Sequence, residues 1–202
     1  LNQPTGLALG RDGSLYVADT GNQRVRRIDA AGTITTVLGT GMPGNNGVDS
    51  PALETPLGGP EGLAADTAGS LVIGDRWNCR VLKLLPSGGL QKVASRCGSE
   101  PTAGAAEDIP LFHPRSVALD RSGAIYVSDT EYHRVLKIST RGAITTYAGN
   151  GSRGFAGDGG HAEGHPAARP LEAGKGQARP AAQIHRPQVG ADGGHTRHFD
   201  RA

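Results

Sequence analysis

A thirteen-residue pattern occurs three times in this chain, as "GSLYVADTGNQRV" at 13–25, "GSLVIGDRWNCRV" at 69–81 and "GAIYVSDTEYHRV" at 123–135. A proline heads each copy, at Pro4, Pro60 and Pro114. Fifteen residues after each proline stands an aspartate (Asp19, Asp75, Asp129), and five residues further an arginine (Arg24, Arg80, Arg134). The copies start 56 and 54 residues apart, so spacing is rigid within a unit and loose only between units, as tandem structural repeats require. No single compact core explains such regularity. Each unit must bury its apolar surface against the next one.

Within a unit, four short apolar runs alternate with Gly, Asp, Ser and Pro. The first reads "TGLALG", "SLYVAD", "RVRRI" and "TITTVL"; the second "EGLAAD", "SLVIGD", "RVLKL" and "LQKVA"; the third "RSVALD", "AIYVSD", "RVLKI" and "AITTYA". The runs are strand-length and rich in β-branched residues, and no stretch sustains a helical period. The sequence therefore predicts an all-β chain: a β-propeller of four-stranded antiparallel blades, about three of them present, with an irregular C-terminal tail.

Blade 1 with its Gly/Pro-rich insertion is expected over 1–56, blade 2 over 57–110, blade 3 with a Gly-rich loop over 111–160, and a disordered or frame-shifted tail over 161–202. The tail holds five of the seven histidines and almost no apolar run. Fifteen residues after Pro170 stands His185 rather than Asp. Two readings account for it: a natural disordered tail, or a reading-frame shift just after "GDGG" that replaced a further blade. The chain begins at Leu1 rather than Met, which suggests a fragment or a processed product.

Charge narrows the partners. The net charge of +2 comes from the tail, since residues 1–160 carry fifteen basic and fifteen acidic side chains. A neutral repeat region is a poor footprint for nucleic acid or an anionic membrane surface, so no nucleic acid is expected. No apolar run is long enough for a membrane-spanning helix.

The residues "PTGLALGRDGSLYVADTGNQRVRRI" resemble an NHL repeat, and "AGNGSRGFAGDGG" resembles the insertion between such repeats in bacterial and teneurin-like members. The resemblance covers about residues 2–160 and implies a propeller of about six blades, of which three are visible here. It implies a noncatalytic scaffold, a sensor or interaction domain for a protein or other ligand. The alternative is a propeller enzyme of the lyase or lactone hydrolase type with a central metal. An RNA-binding role, as in tripartite-motif members, would need a basic face that the repeats lack.

The shared Asp and Arg are explained by folding, Asp as a turn acceptor and Arg as its ion-pair partner. Function is better sought where the copies differ. Between Asp and Arg the loops read "TGNQ", "RWNC" and "TEYH", which singles out Arg76, Trp77, Glu131, Tyr132 and His133 as loop binding candidates, although Trp77 would serve equally as packing between blades. No catalytic residue is assigned, and Asp66 and Asp120 read as turn-makers. The expectation is no cofactor; calcium near Asp158 or zinc on the tail histidines has too few ordered ligands to assign. Cys79 and Cys97 flank a predicted hairpin, open either to a cross-hairpin disulfide, which would favour an extracytoplasmic location, or to two buried thiols. Three blades leave apolar faces bare, so either missing blades or self-association is needed to cover them.

Overall fold

The computed structural model describes residues 1–45, 50–98 and 110–154. These form three four-stranded antiparallel sheets in meander order. Blade 1 comprises β1 (Pro4–Leu9), β2 (Leu15–Asp19), β3 (Arg24–Ile28) and β4 (Ile34–Leu38). Blade 2 comprises β5 (Pro60–Ala65), β6 (Leu71–Asp75), β7 (Arg80–Leu84) and β8 (Leu90–Ser95), and blade 3 β9 (Pro114–Leu119), β10 (Ile125–Asp129), β11 (Arg134–Ile138) and β12 (Ile144–Ala148). The expected tail and the loop around Asp158 lie outside the described residues.

The turns are built as the sequence pattern demands. Asp66 Oδ1 accepts the N–H groups of Ala68 and Ser70, and Asp120 Oδ1 those of Ser122 and Ala124. Gly69 and Gly123 supply the left-handed backbone that closes each turn, at φ +88° and +87°. Blade 1 has Gly10 at the Asp66 position and moves the carboxylate two residues on, where Asp12 takes the Ser14 N–H and hydroxyl. The Arg27 guanidinium and these Ser14 donors hold the Asp12 carboxyl down to about 2.

Blades stack face to face through strand alternation. Ala8, Ala18, Val25 and Leu38 of blade 1 pack on Leu63, Leu71, Ile73, Leu82 and Leu84 of blade 2. The other face of blade 2 offers Val72 and Val81 to Val117, Ile125, Val127, Leu136 and Ile138 of blade 3. Each fully buried Leu, Ile or Val stabilises this stack by about 1.5–3 kcal/mol. The first strands of successive blades lie side by side. At Gly6 a Cβ would overlap the Glu61 carbonyl, and at Gly62 it would sit 2.8 Å from Arg115 O and Ser116 Cα. Glycine is thus what lets β1 approach β5 and β5 approach β9.

Candidate functional site

One end of each blade is knotted by its repeated aspartate. Asn2 N donates to Asp19 Oδ1 (2.7 Å), Gly58 N to Asp75 Oδ1 (2.7 Å) and Phe112 N to Asp129 Oδ1 (2.6 Å). The acceptor closes the second strand and the donor stands two residues before the proline that opens the first. The β2–β3-type turn and the pre-proline residues are therefore held together, three times over, on one face.

The repeated arginine completes the knot in two blades. Arg80 Nε donates to Asp75 Oδ2 (2.6 Å) and its Nη2 to the Pro56 carbonyl (2.6 Å). Arg134 does the same with Asp129 Oδ2 (2.9 Å) and the Pro110 carbonyl (2.6 Å). Burial pushes the Asp75 and Asp129 carboxyls up, against the pull of these guanidiniums and of the N–H donors. Blade 1 departs from the expected pair. Arg24 Nη2 turns to the Thr40 carbonyl (2.9 Å), and Asp19 is faced instead by Arg26 at 3.6 Å. The interblade strap that supplies Pro56 and Pro110 has no counterpart before β1 among the described residues. Burial also opposes ionisation of Asp19, but the Asn2 N–H, the Asn22 amide and nearby positive charge hold its carboxyl below the ordinary value.

Two backbone positions on this face are left-handed in every copy. Gln3, Gly59 and His113 precede the head proline at φ +46°, +74° and +61°, and Gln23, Cys79 and His133 precede the arginine at +51°, +48° and +46°. Where blade 2 has a bare Gly59, the Trp77 ring fills the space a Cβ would take. Where blade 3 has His113, an imidazole projects instead.

These substitutions gather four of the five loop candidates, with two residues the loop comparison did not select, into one cluster. The Trp77 and His113 rings meet edge-on at 4.7 Å, Phe112 stacks on His113 at 4.4 Å, and Phe112 lies 5.7 Å from Tyr132. The Arg76 guanidinium sits 4.0 Å over the Trp77 ring and donates to Glu61 Oε1 (2.7 Å). Glu131 approaches His113 Nδ1 at 3.5 Å, and Arg134 lies beneath Tyr132 at 4.9 Å. Trp77 is 56% exposed and Phe112 38%. His133 is exposed at its left-handed position, and no contact places it in the cluster. Phe112 and His113 could have been found by comparing the pre-proline pairs "NQ", "GG" and "FH".

Tyr132 stands where the other two copies have Asn22 and Asn78. Asn78 Nδ2 donates to the Gly44 carbonyl (2.7 Å), and the Tyr132 hydroxyl donates to the equivalent Gly98 carbonyl. Gly98 follows Cys97, whose sulfur is bonded to Cys79, with the two Cα atoms 5.2 Å apart. The disulfide thus ties the Trp77 turn to the strap on which Tyr132 is fixed.

Beside the cluster, Thr5, Glu61 and Arg115 face a recess of about 320 Å³ between the three first strands. Glu61 is engaged there by Arg76 and by Arg115 at 3.7 Å. Among the described residues no three His, Cys, Asp or Glu side chains come together as a metal site. A larger groove of about 910 Å³ opens at the opposite strand ends, between Tyr16, Arg27 and Leu53 on one side and Leu71, Leu85 and Pro86 on the other.

The NHL repeat family matches residues 1–28 and 113–138. The chain carries NHL repeats. Blade 2 lies between the two matched stretches and shares their strand order and knot. Teneurin-m of Drosophila melanogaster is 28% identical over a match covering 76% of this chain and 6% of that protein. Two solved structures show the same propeller fold. Virginiamycin B lyase from Staphylococcus aureus has a TM-score of 0.51 at 17% identity, covering 72% of this chain and 41% of that one. A chain of a nidogen/laminin complex has a TM-score of 0.53 at 20% identity, covering 73% and 48%. The chain therefore spans less than half of either solved relative and a small part of Teneurin-m. No helix among the described residues is long and apolar enough to cross a membrane.

Proposed function

We propose that this chain is a noncatalytic NHL-repeat propeller scaffold that binds a protein or peptide partner through the Arg76, Trp77, Phe112, His113, Glu131 and Tyr132 cluster. The observation that carries this reading is the gathering of non-repeated aromatic and charged side chains from two blades on one face, with Trp77 and Phe112 exposed. Exposed aromatics backed by guanidinium groups and held on a disulfide-tied turn have the composition of binding hot spots. They also lose little conformational freedom on binding, because Tyr132 and Arg76 are already fixed. The fold does not discriminate, since propellers related in shape include both a lyase and a chain from a protein complex. Against the enzyme alternative stands the engagement of Glu61, the acid at the recess between the first strands, which is held in ion pairs with Arg76 and Arg115.

The test is to pan a random heptapeptide phage library on the immobilised chain. Selected peptides should lose at least about tenfold in affinity against Trp77→Ala, a change of about 1.4 kcal/mol, and none against Met42→Ala, an exposed residue elsewhere. Peptides indifferent to Trp77→Ala, or no selection at all, would remove the reading.

A further inference from the structure

The seam between blades 1 and 2 opens, at the strand ends away from the ring cluster, into the groove of about 910 Å³. Its walls come from these two blades and the strap that joins them, so neither end of the chain borders it. Small-ligand sites enclose about 300–1,000 Å³.

Departures from the repeat open this groove and make it apolar. Ala65 and Thr67 stand where blade 3 carries Leu119 and Arg121, so the blade 2 side of the seam is underfilled. Leu85 and Pro86 stand where blade 1 carries Asp29 and Ala30 and blade 3 carries Ser139 and Thr140. Asp29 Oδ1 accepts the Ala31 and Thr33 N–H groups, and Ser139 Oγ accepts that of Ala143, so each caps its turn. Leu85 has no acceptor to offer. Blade 2 gives up the cap and gains an apolar wall in its place. Across the groove, the strap turn Ala52–Glu54 adds Leu53, which is 56% exposed.

The charges that line it are not equally engaged. Asp12 accepts from Arg27 Nη2 (2.8 Å) and from the Ser14 N–H and hydroxyl, and is committed. Arg11 reaches across the seam with one long bond, to the Thr67 carbonyl at 3.4 Å. Glu54 makes no side-chain bond to any described residue. The apolar groove therefore presents one uncommitted cation and one uncommitted anion.

We infer that this groove binds a short apolar peptide with both termini free, its carboxylate paired with Arg11, its ammonium with Glu54 and its side chains against Val37, Leu53, Leu71 and Leu85. Charge complementarity selects this occupant. An apolar anion would leave Glu54 unpaired, an apolar amine would leave Arg11 unpaired, and a neutral apolar molecule would desolvate both. A guanidinium also matches a terminal carboxylate in two parallel hydrogen bonds. The site lies at the opposite strand ends from the ring cluster and does not depend on that cluster's partner.

The test is titration calorimetry of the full 202-residue chain with trileucine. Saturable binding of one peptide per chain is expected. Amidating the peptide's C-terminus should weaken binding about 10- to 100-fold, the range for a hydrogen bond between charged groups, and should make no further difference in Arg11→Gln. Acetylating its N-terminus should have the same relation to Glu54→Gln. Arg11 and Glu54 are both exposed, so these variants keep the fold. Leu85→Asp, which puts the blade 1 residue and its cap into blade 2, should abolish binding at unchanged or raised stability. Trp77→Ala should leave binding unchanged. Absence of saturable binding to the wild type would overturn the proposal. Equal affinity for N-acetyl trileucine amide would overturn it too, because the groove would then take neutral apolar molecules. Binding that survives Leu85→Asp, or that is lost in Trp77→Ala, would place the peptide elsewhere and sink the assignment.

Discussion

Replacing the repeated aspartate by alanine should cost a different amount in each blade, because the same residue carries three different loads. Asp75 is fully buried and accepts from Gly58 N, Asn78 Nδ2 and Arg80 Nε, while Arg80 is itself 1% exposed. Asp75→Ala strands a buried guanidinium, worth about 3–5 kcal/mol, and orphans the Gly58 N–H, worth about 1–3 kcal/mol more. The Pro56 carbonyl still holds Arg80 Nη2, so the lower half of that sum, about 4–6 kcal/mol, is the expectation. Asp129→Ala should fall slightly below it, since Asp129 has the Arg134 and Phe112 bonds but no amide from the Tyr132 position. Asp19→Ala strands no buried arginine, because Arg24 already bonds to Thr40, and should cost about 1–3 kcal/mol for the Asn2 N–H and the Asn22 amide. The assay is urea unfolding followed in parallel by Trp77 emission and circular dichroism, with coincident transitions licensing a two-state comparison. Adding Arg80→Met to Asp75→Ala should recover a large part of the loss, as a buried pair replaced on both sides is far less harmful than one broken on one side. Equal costs in the three blades, or a largest cost at Asp19, would refute the reasoning.

Reduction of the Cys79–Cys97 bridge, which closes a loop of sequence separation 18, should lower stability by about 3 kcal/mol and shift the urea midpoint; an unchanged midpoint in reductant would contradict the bridge. Gly62→Ala should destabilise by about 1–3 kcal/mol, because its Cβ meets the backbone of β9. Gly13→Ala, with open space but φ +80°, should cost only about 1 kcal/mol of backbone strain, so thermal melts should order the two variants that way. For Asp12 the folded carboxyl, at about 2, lies below the unfolded value near 3.9, so its contribution is present above pH about 4 and is lost as pH falls through the folded value. The stability gap between wild type and Asp12→Asn in urea titrations should therefore be flat from pH about 7 to 5 and close towards pH about 2.

The blades were legible because their determinants are local. Alternating apolar runs, the Asp66 and Asp120 turns and the Gly69 and Gly123 kinks each act within a few residues, and three registered copies reinforce one another. The aspartate knot was legible only as a recurring residue. Its partner N–H lies seventeen residues upstream, at Asn2, Gly58 and Phe112, and a backbone donor leaves no signature in a sequence. The same distance hid two of the six residues of the candidate site. Trp77 and Tyr132 stand out as variable loop residues, but Phe112 and His113 reach them only because the Asp129 bond folds the pre-proline segment onto the turn.

That dependence couples the structural repeat to the surface it presents. The pre-proline and pre-arginine positions are left-handed in all three copies, so the backbone aims whatever side chain stands there in a fixed direction. Gln3 and Gly59 use the first position for nothing that joins a ring cluster, and His113 uses it to bring an imidazole between Trp77 and Phe112. The knot itself needs only the Asp and the backbone N–H, which leaves the aimed side chains free to vary without unfolding the blade. His113→Gly, which restores the blade 2 residue at a position with φ +61°, should accordingly leave the unfolding midpoint unchanged or slightly raised while removing the ring between Trp77 and Phe112. Loss of peptide binding at unchanged stability would show that the cluster is carried by the knot rather than being part of it. A fall in stability as large as that of Asp129→Ala would show the opposite, that the rings hold the blade end together and the aspartate alone does not.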